Sequence, residues 1–159
     1  MTPSSAPRPL PGDRIAVGQI SVRLLQHFRR ELFAVAQQGG FADVREAHLQ
    51  IFGNVGMDGI RLTTLAARAQ LSLAACAELV DDLQRRGYLE RRPDPSDGRA
   101  KLIHPTGRGR QALAAAGARV AEIEARWAGL VGEGELDRAL GTLDRLIGLL
   151  DAERGGRDA

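Results

Sequence analysis

Tyr88-Leu-Glu-Arg-Arg-Pro-Asp-Pro-Ser-Asp-Gly-Arg-Ala-Lys-Leu-Ile-His104 is the stretch that decides the fold. Branched and aromatic residues bracket Pro93, Pro95 and Gly98, which break regular structure. The stretch therefore reads as two short strands, Tyr88 to Arg92 and Ala100 to His104, joined by a projecting tip. That tip carries Asp94, Asp97 and Arg99. A carboxylate at Asp97, two residues before Arg99, is placed to hold the guanidinium in one direction by a charge-assisted hydrogen bond. A rigid arginine on an extended arm suits a narrow, negative DNA minor groove.

Two helical segments precede the hairpin. Thr63 or Thr64 is expected to cap the first, Leu65 to Gln70, and Ser72 the second, which runs to about Arg86 and stops at Gly87. Leu73, Cys76, Val80 and Leu83 share the spacing of one apolar helix face, so this second helix packs by that side and exposes the other. Helix, tight turn, helix and wing follow in order. On Arg61-Leu-Thr-Thr-Leu-Ala, Leu79-Val-Asp-Asp-Leu, Arg86-Gly-Tyr-Leu-Glu-Arg, Asp94-Pro-Ser-Asp-Gly-Arg-Ala-Lys and Thr106-Gly-Arg-Gly, the chain resembles the MarR family of bacterial winged helix-turn-helix regulators from about Gly59 to Gly109. The resemblance implies a mainly α fold with a small β-hairpin wing. It also implies a homodimer formed through the terminal helices, with two readers facing successive grooves of double-stranded DNA.

Outside this core the chain of 159 residues is one ordinary domain with helices at both ends. Residues 1–12 hold four of the seven prolines and read as a flexible arm. Residues 13–58 form N-terminal helices, 59–109 the winged domain, 110–152 C-terminal dimerisation helices, and 153–159 a flexible tail. In the first helix, from Asp13, Ile15, Ile20, Leu24, Phe28, Leu32 and Val35 recur at helical spacing until Gly39-Gly40. A second helix is expected from Asp43, as N-cap, to Asn54, with Val44, Ala47, His48, Ile51 and Phe52 on its apolar side. Gly53, Gly56 and Gly59 mark a turn into a short strand, Ile60 to Leu62, able to pair with the wing. Thr106 caps a long helix striped by Leu113, Ala116, Val120, Ile123, Trp127 and Leu130. After a break at Gly132 to Gly134, the stripe resumes as Leu136, Leu140, Leu143, Ile147 and Leu150. Such stripes need a partner, and Gly141 and Gly148 let another backbone approach.

The net charge of +2 conceals an asymmetry. Between Ile60 and Arg110 ten Lys/Arg face six Asp/Glu, against twelve and fourteen elsewhere, so the positive charge sits on the reader. Lys101 is the only lysine. No segment has the roughly 18 apolar residues that cross a bilayer, and the N-terminus lacks the apolar centre of a secretory signal, so a cytoplasmic location is expected. The single Cys76 excludes an internal disulfide or a cysteine-cluster metal site, and reads as a small buried hydrophobe. There is no glycine-rich phosphate loop, nucleophile elbow or zinc-spaced histidine pair, so no enzyme, metal or cofactor is expected. Asp81 and Asp82 point about 100° apart on a helix, and are expected to be solvated or paired with Arg85 rather than to form a dyad.

The DNA-contacting set is Thr63, Arg68, Ser72, Leu73, Ala74, Ala75, Arg85, Arg91, Arg92, Asp97, Arg99 and Lys101. Base reading requires directed donors and acceptors, yet after Ser72 the reader helix offers Leu-Ala-Ala-Cys-Ala. Affinity is therefore assigned to phosphate contacts and wing insertion. A ligand cleft between dimerisation helices and winged domain is assigned to Phe28, Phe41, Val44 and Trp127 with Arg23, His27, Arg45 and His48, a mixture suited to a small aromatic or anionic ligand. Arg23 and His27 read equally as a solvated helix face, His48 as a core histidine bonded to backbone, and Trp127 as core. Two functions follow: a ligand-responsive, DNA-binding repressor, or the same fold relieved of DNA reading and kept for a ligand or chemistry in its cleft.

Overall fold

In the computed structural model, which describes residues 15–36 and 40–155, the chain runs through α1 (Val17–Ala36), a 3-10 turn (Glu46–His48), α2 (Leu49–Val55), β1 (Ile60–Arg61) and α3 (Leu62–Ala69). It continues through α4 (Leu73–Arg85), β2 (Leu89–Asp94), β3 (Asp97–Pro105), α5 (Gly107–Val131) and α6 (Glu133–Gly155). The expected arm 1–12, the end of the first helix at Gly39, the side chain of Val35 and residues 156–159 lie outside the described residues. The mainly α architecture with a small wing is the expected one.

The three strands form an antiparallel sheet in the order β1-β3-β2, with Ile60 opposite Ile103 and Arg92 opposite Leu102. Both wing strands run closer to the tip than the proline positions suggested. The ladder absorbs Pro93, which has no N–H to donate, in a register shift between Pro93 and Asp94.

Helix starts divide by their caps. Ser72 Oγ accepts the Ala75 N–H at 3.1 Å and Thr106 Oγ1 accepts the Gly109 N–H at 3.1 Å, as expected of N-cap hydroxyls. Thr63 and Thr64 do not cap α3. The helix starts at Leu62 straight out of β1, its N-cap is the extended Arg61, and both threonines lie within its first turn. Asp43 does not cap α2 either. Its carboxylate is taken by the Tyr88 hydroxyl at 2.6 Å and by Arg108 at 2.9 Å, so the chain enters α2 through the 3-10 turn, leaving Ala47 exposed. Between α5 and α6 the break is Gly132 alone, with φ of 102°, a conformation that favours glycine.

Ile51, Val55, Leu65, Cys76, Val80, Leu83, Tyr88 and Ile103 form the core of the winged part. Leu73 is not on the buried face, being 51% exposed at the projecting start of α4. Among the described glycines Gly109 permits the closest approach: a Cβ there would lie 2.0 Å from the Tyr88 carbonyl oxygen. Thr106 bonds the Gly87 and Tyr88 carbonyls at 2.6 and 3.1 Å, fixing the start of α5 against the end of α4. Away from this core α1 packs on α5 and α5 on α6. Ile20 and Leu24 on α1, and Leu140, Leu143, Ile147 and Leu150 on α6, stay between 40% and 57% exposed.

Candidate nucleic-acid interface and adjoining cavity

The start of α4 projects Ser72, Leu73 and Ala74 into solvent, with Ala75 half-buried behind them. The turn that delivers it places Gln70 in the left-handed region at φ 53°, and Leu71 donates its N–H back to the Ala66 carbonyl at 3.0 Å. Thr63 and Arg68 of α3 are exposed too. Cys76, fully buried beneath, has its thiol pKa pushed up by burial, the condition of an inert packing residue.

The wing tip is built on Asp94. One carboxylate oxygen accepts the Ser96 N–H at 2.8 Å and the Ser96 hydroxyl at 2.7 Å; the other accepts Arg61 Nε at 2.9 Å and Nη2 at 2.6 Å. The Ser96 hydroxyl and amide, together with Arg61, hold the Asp94 pKa down at about 2. Asp97 does not orient the Arg99 guanidinium as expected. It accepts the Arg99 backbone N–H at 3.2 Å and faces Arg61 Nη2 at 3.7 Å, because Arg61 reaches across from β1 and supplies the nearer cation. Asp97 therefore shapes the turn, while the Arg99 side chain stands exposed.

The basic residues assigned to DNA divide in two. Arg85 is paired with Asp82, Arg91 with Asp81 and Gln84, and Arg92 with Glu90. Arg68, Arg99 and Lys101 have no acidic partner among the described residues and are exposed. The latter three are available to phosphate.

Asp82 pairs with Arg85 as expected, but it also holds three partners that the sequence did not indicate. Buried at the far end of α4, it accepts from Arg86 Nε at 3.0 Å, Arg85 at 3.2 Å, His48 Nε2 at 2.9 Å and Arg45. Arg86 and Arg45, foremost among these donors, hold its pKa far below the ordinary carboxylate range. The spacings from Asp82 to Arg85 and Arg86, three and four along the helix, are the local signals. His48, wholly buried, accepts the Arg45 N–H on Nδ1 at 3.0 Å, so its neutral ring carries the proton on Nε2 and donates it to Asp82. Burial lowers its pKa. It is thus a core histidine, bonded to a backbone N–H rather than a carbonyl. Beside it, the Arg108 guanidinium lies 4.3 Å over the Tyr88 ring, whose hydroxyl is pushed up to about 12 by burial and by Asp43.

The eight residues assigned to a ligand cleft do not meet. Phe28 and Trp127 pair edge to face at 6.5 Å, with Trp127 Nε1 bonding Glu31. Phe41 and Val44 pack instead into the winged core, because the unhelical segment before α2 folds them onto Tyr88. Arg45 and His48 are spent on Asp82, and Arg23 and His27 are exposed on α1. A cavity of about 360 Å³ does lie between α1, α2 and α5, bounded by Leu25, Phe28, Leu32, Phe52, Leu113 and Val120, with Arg29 and Gln50 as its polar groups. A second, of about 290 Å³, lies beside Trp127 against α6. Among the described residues no three His, Cys, Asp or Glu side chains cluster to hold a metal ion, and no helix is long and apolar enough to cross a membrane.

The model of the MarR family matches residues 33–100. No curated protein sequence matches the chain. Among solved structures, apo MarR from E. coli is similar at 19% identity and a TM-score of 0.69, over 84% of this chain and 98% of that one. A MarR-family transcriptional regulator from Rhodococcus sp. is similar at 24% identity and a TM-score of 0.66, over 82% and 92%. A variant of S. aureus MepR bound to an oligodeoxyribonucleotide is similar at 18% identity and a TM-score of 0.55, over 86% and 99%. The MarR family model thus matches residues 33–100, and the chain has the winged helix-turn-helix fold of these solved structures, terminal helices included.

Proposed function

We propose that the chain is a cytoplasmic, homodimeric transcriptional repressor that binds double-stranded DNA chiefly through its wing and backbone contacts. The observation that carries this reading is the wing tip: Asp94 spends itself on Arg61 and Ser96, leaving Arg99 and Lys101 charged and exposed on a rigid hairpin. That arrangement suits insertion into a negative groove, with phosphate contacts from Arg68 and the start of α4. The structure of an S. aureus relative on an oligodeoxyribonucleotide supports it. The half-exposed apolar residues of α1 and α6 favour self-association, since faces of this extent are costly in water.

The ligand site in this reading is the cavity between α1, α2 and α5. Apolar walls with Arg29 and Gln50 suit a small aromatic anion, the walls providing affinity and the guanidinium fixing orientation. One observation favours a second reading, a ligand-binding protein of the same fold without DNA reading: Leu73 and Ala74 present no hydrogen-bonding side chain beyond the Ser72 cap. A shift assay on the chain's own upstream DNA at two salt concentrations separates them. A salt-sensitive shift supports the repressor, and a stable dimer with no shift at low salt supports the second reading.

A further inference from the structure

From Gly59 to Gly109 a single large apolar side chain, Leu73, stands exposed among the described residues. The others exposed in the chain, Met57 apart, belong to α1, α5 and α6 or, for Ile15, to the lead into α1. Leu73 opens α4 at its projecting end, directly after the Ser72 cap. On a helix that turns about 100° per residue, Ala74, Ala77 and Glu78 share its outward side, while Cys76, Val80 and Leu83 turn into the core. Ala74 and Glu78 are exposed and Ala77 is half-buried. Between Leu73 and Leu79 the one charged side chain is Glu78, which only accepts hydrogen bonds. Ser72 commits its oxygen to the Ala75 N–H. Beyond the cap, this face therefore offers no donor to the two acceptors of guanine.

We propose that Leu73, with Ala74 and Ala77 beside it, determines sequence specificity by apolar contact with the C5-methyl groups of thymines in the major groove. This rests on the proposed DNA-binding function and deepens it by naming the base that the reader helix selects. The thymine methyl is the apolar group that a base pair presents in that groove, and it is what remains to be read where hydrogen-bond donors are lacking. The alanines serve the same end by being small. A helix with its side chains is about 10–12 Å across and the major groove about 12 Å wide, so an alanine face lies deeper than an ordinary one and brings Leu73 to the base edges. Leu73 to Ala77 covers about 6 Å of helix axis, the length of about two base-pair steps, so one reader reaches a short run of bases. Arg68, exposed on α3 and without an acidic partner among the described residues, supplies charge that draws the phosphate backbone to this tip. Phosphate and wing contacts then give affinity, and the methyl groups give selectivity.

The chain's own upstream DNA, prepared once with thymine and once with uracil at every thymine position, provides the test. Uracil keeps the hydrogen-bonding edge of thymine and lacks only the methyl. Affinity for both DNAs is measured for the wild type, Leu73→Ala, Leu73→Met and Arg99→Ala, with thermal unfolding to verify that each variant is folded. Uracil should weaken wild-type binding about fourfold for each methyl that the reader buries, and so more than tenfold for two readers in a dimer. Leu73→Ala should bind thymine DNA more weakly and lose most of the preference, whereas Leu73→Met, which restores an apolar end, should keep it. Arg99→Ala should bind both DNAs more weakly with the preference intact. Equal wild-type affinity for the two DNAs would overturn the thymine reading while leaving DNA binding in place. So would an undiminished preference in Leu73→Ala, and a lower mass of that variant in light scattering would then give Leu73 to a protein contact. Absence of binding to either DNA at low salt would overturn the DNA-binding function and the thymine reading together.

Discussion

Arg61 and Asp94 lie 33 positions apart, yet the guanidinium of the first places two N–H groups on one carboxylate oxygen of the second, at 2.9 and 2.6 Å. This ties the wing tip to the junction of β1 and α3, so that wing and helix-turn-helix move as one piece. Asp94→Asn should weaken that tie and lower DNA affinity without changing the oligomer. The pH dependence has a definite sign. The carboxyl is held at about 2 against an ordinary 3.8, so its stabilisation is complete above about pH 4 and is lost as pH falls toward 2. Urea unfolding across that range should show a steeper acid loss in the wild type than in Asp94→Asn.

His48 supplies a second pH dependence. Its neutral ring is the bonded form, since protonating Nδ1 would set an N–H against the Arg45 N–H it now accepts. With a folded pKa below the ordinary 6.5, its contribution is complete above that value and fades as pH falls through the folded one. His48→Gln should unfold at the same urea concentration at pH 5 and pH 7.5, while the wild type should be weaker at pH 5.

Gly109→Ala should be among the most damaging single substitutions, because the added methyl meets backbone at the Tyr88 carbonyl rather than a side chain that can turn away. Its cost should exceed the 1–3 kcal/mol typical of overpacking, at about 3 kcal/mol or more. Gly129→Ala, with open space at its Cβ, should instead gain up to about 1 kcal/mol in helix propensity. Thermal unfolding of both variants checks the contrast.

Assembly is the next expectation. With apolar residues of α1 and α6 half-exposed in the single chain, light scattering at micromolar concentration should give the mass of a dimer. Replacing Leu143 and Ile147 by Asp should give monomers. A wild-type monomer would remove the dimeric architecture.

What the sequence disclosed was local. The Ser72 and Thr106 caps and the wing turn each act within a few residues, so their spacing carries the information. What it concealed was distant. The bonds from Asp82 to His48 and from Asp43 to Tyr88 and Arg108 cross 34 to 65 positions, and periodicity says which face of a helix is apolar but not what that face meets. For that reason the sequence points Phe41 and Val44 to a cleft although they belong to the core, and Asp97 to the Arg99 guanidinium although Arg61 stands closer. Leu25, Arg29, Leu49 and Gln50 of the cavity were missed for the same reason.

In the proposed complex DNA is held by a wing whose Arg99 has no acidic partner among the described residues. Fluorescence anisotropy of the wild type and Arg99→Ala on labelled upstream DNA, across a salt series, tests it directly. Arg99→Ala is expected to lose about 1–3 kcal/mol of binding and about one unit of salt slope, whereas Arg92→Ala, whose charge is already met by Glu90, should lose much less. Wild-type affinity and slope in Arg99→Ala would contradict the wing-led mechanism, and absence of salt-sensitive binding in the wild type would contradict DNA binding itself.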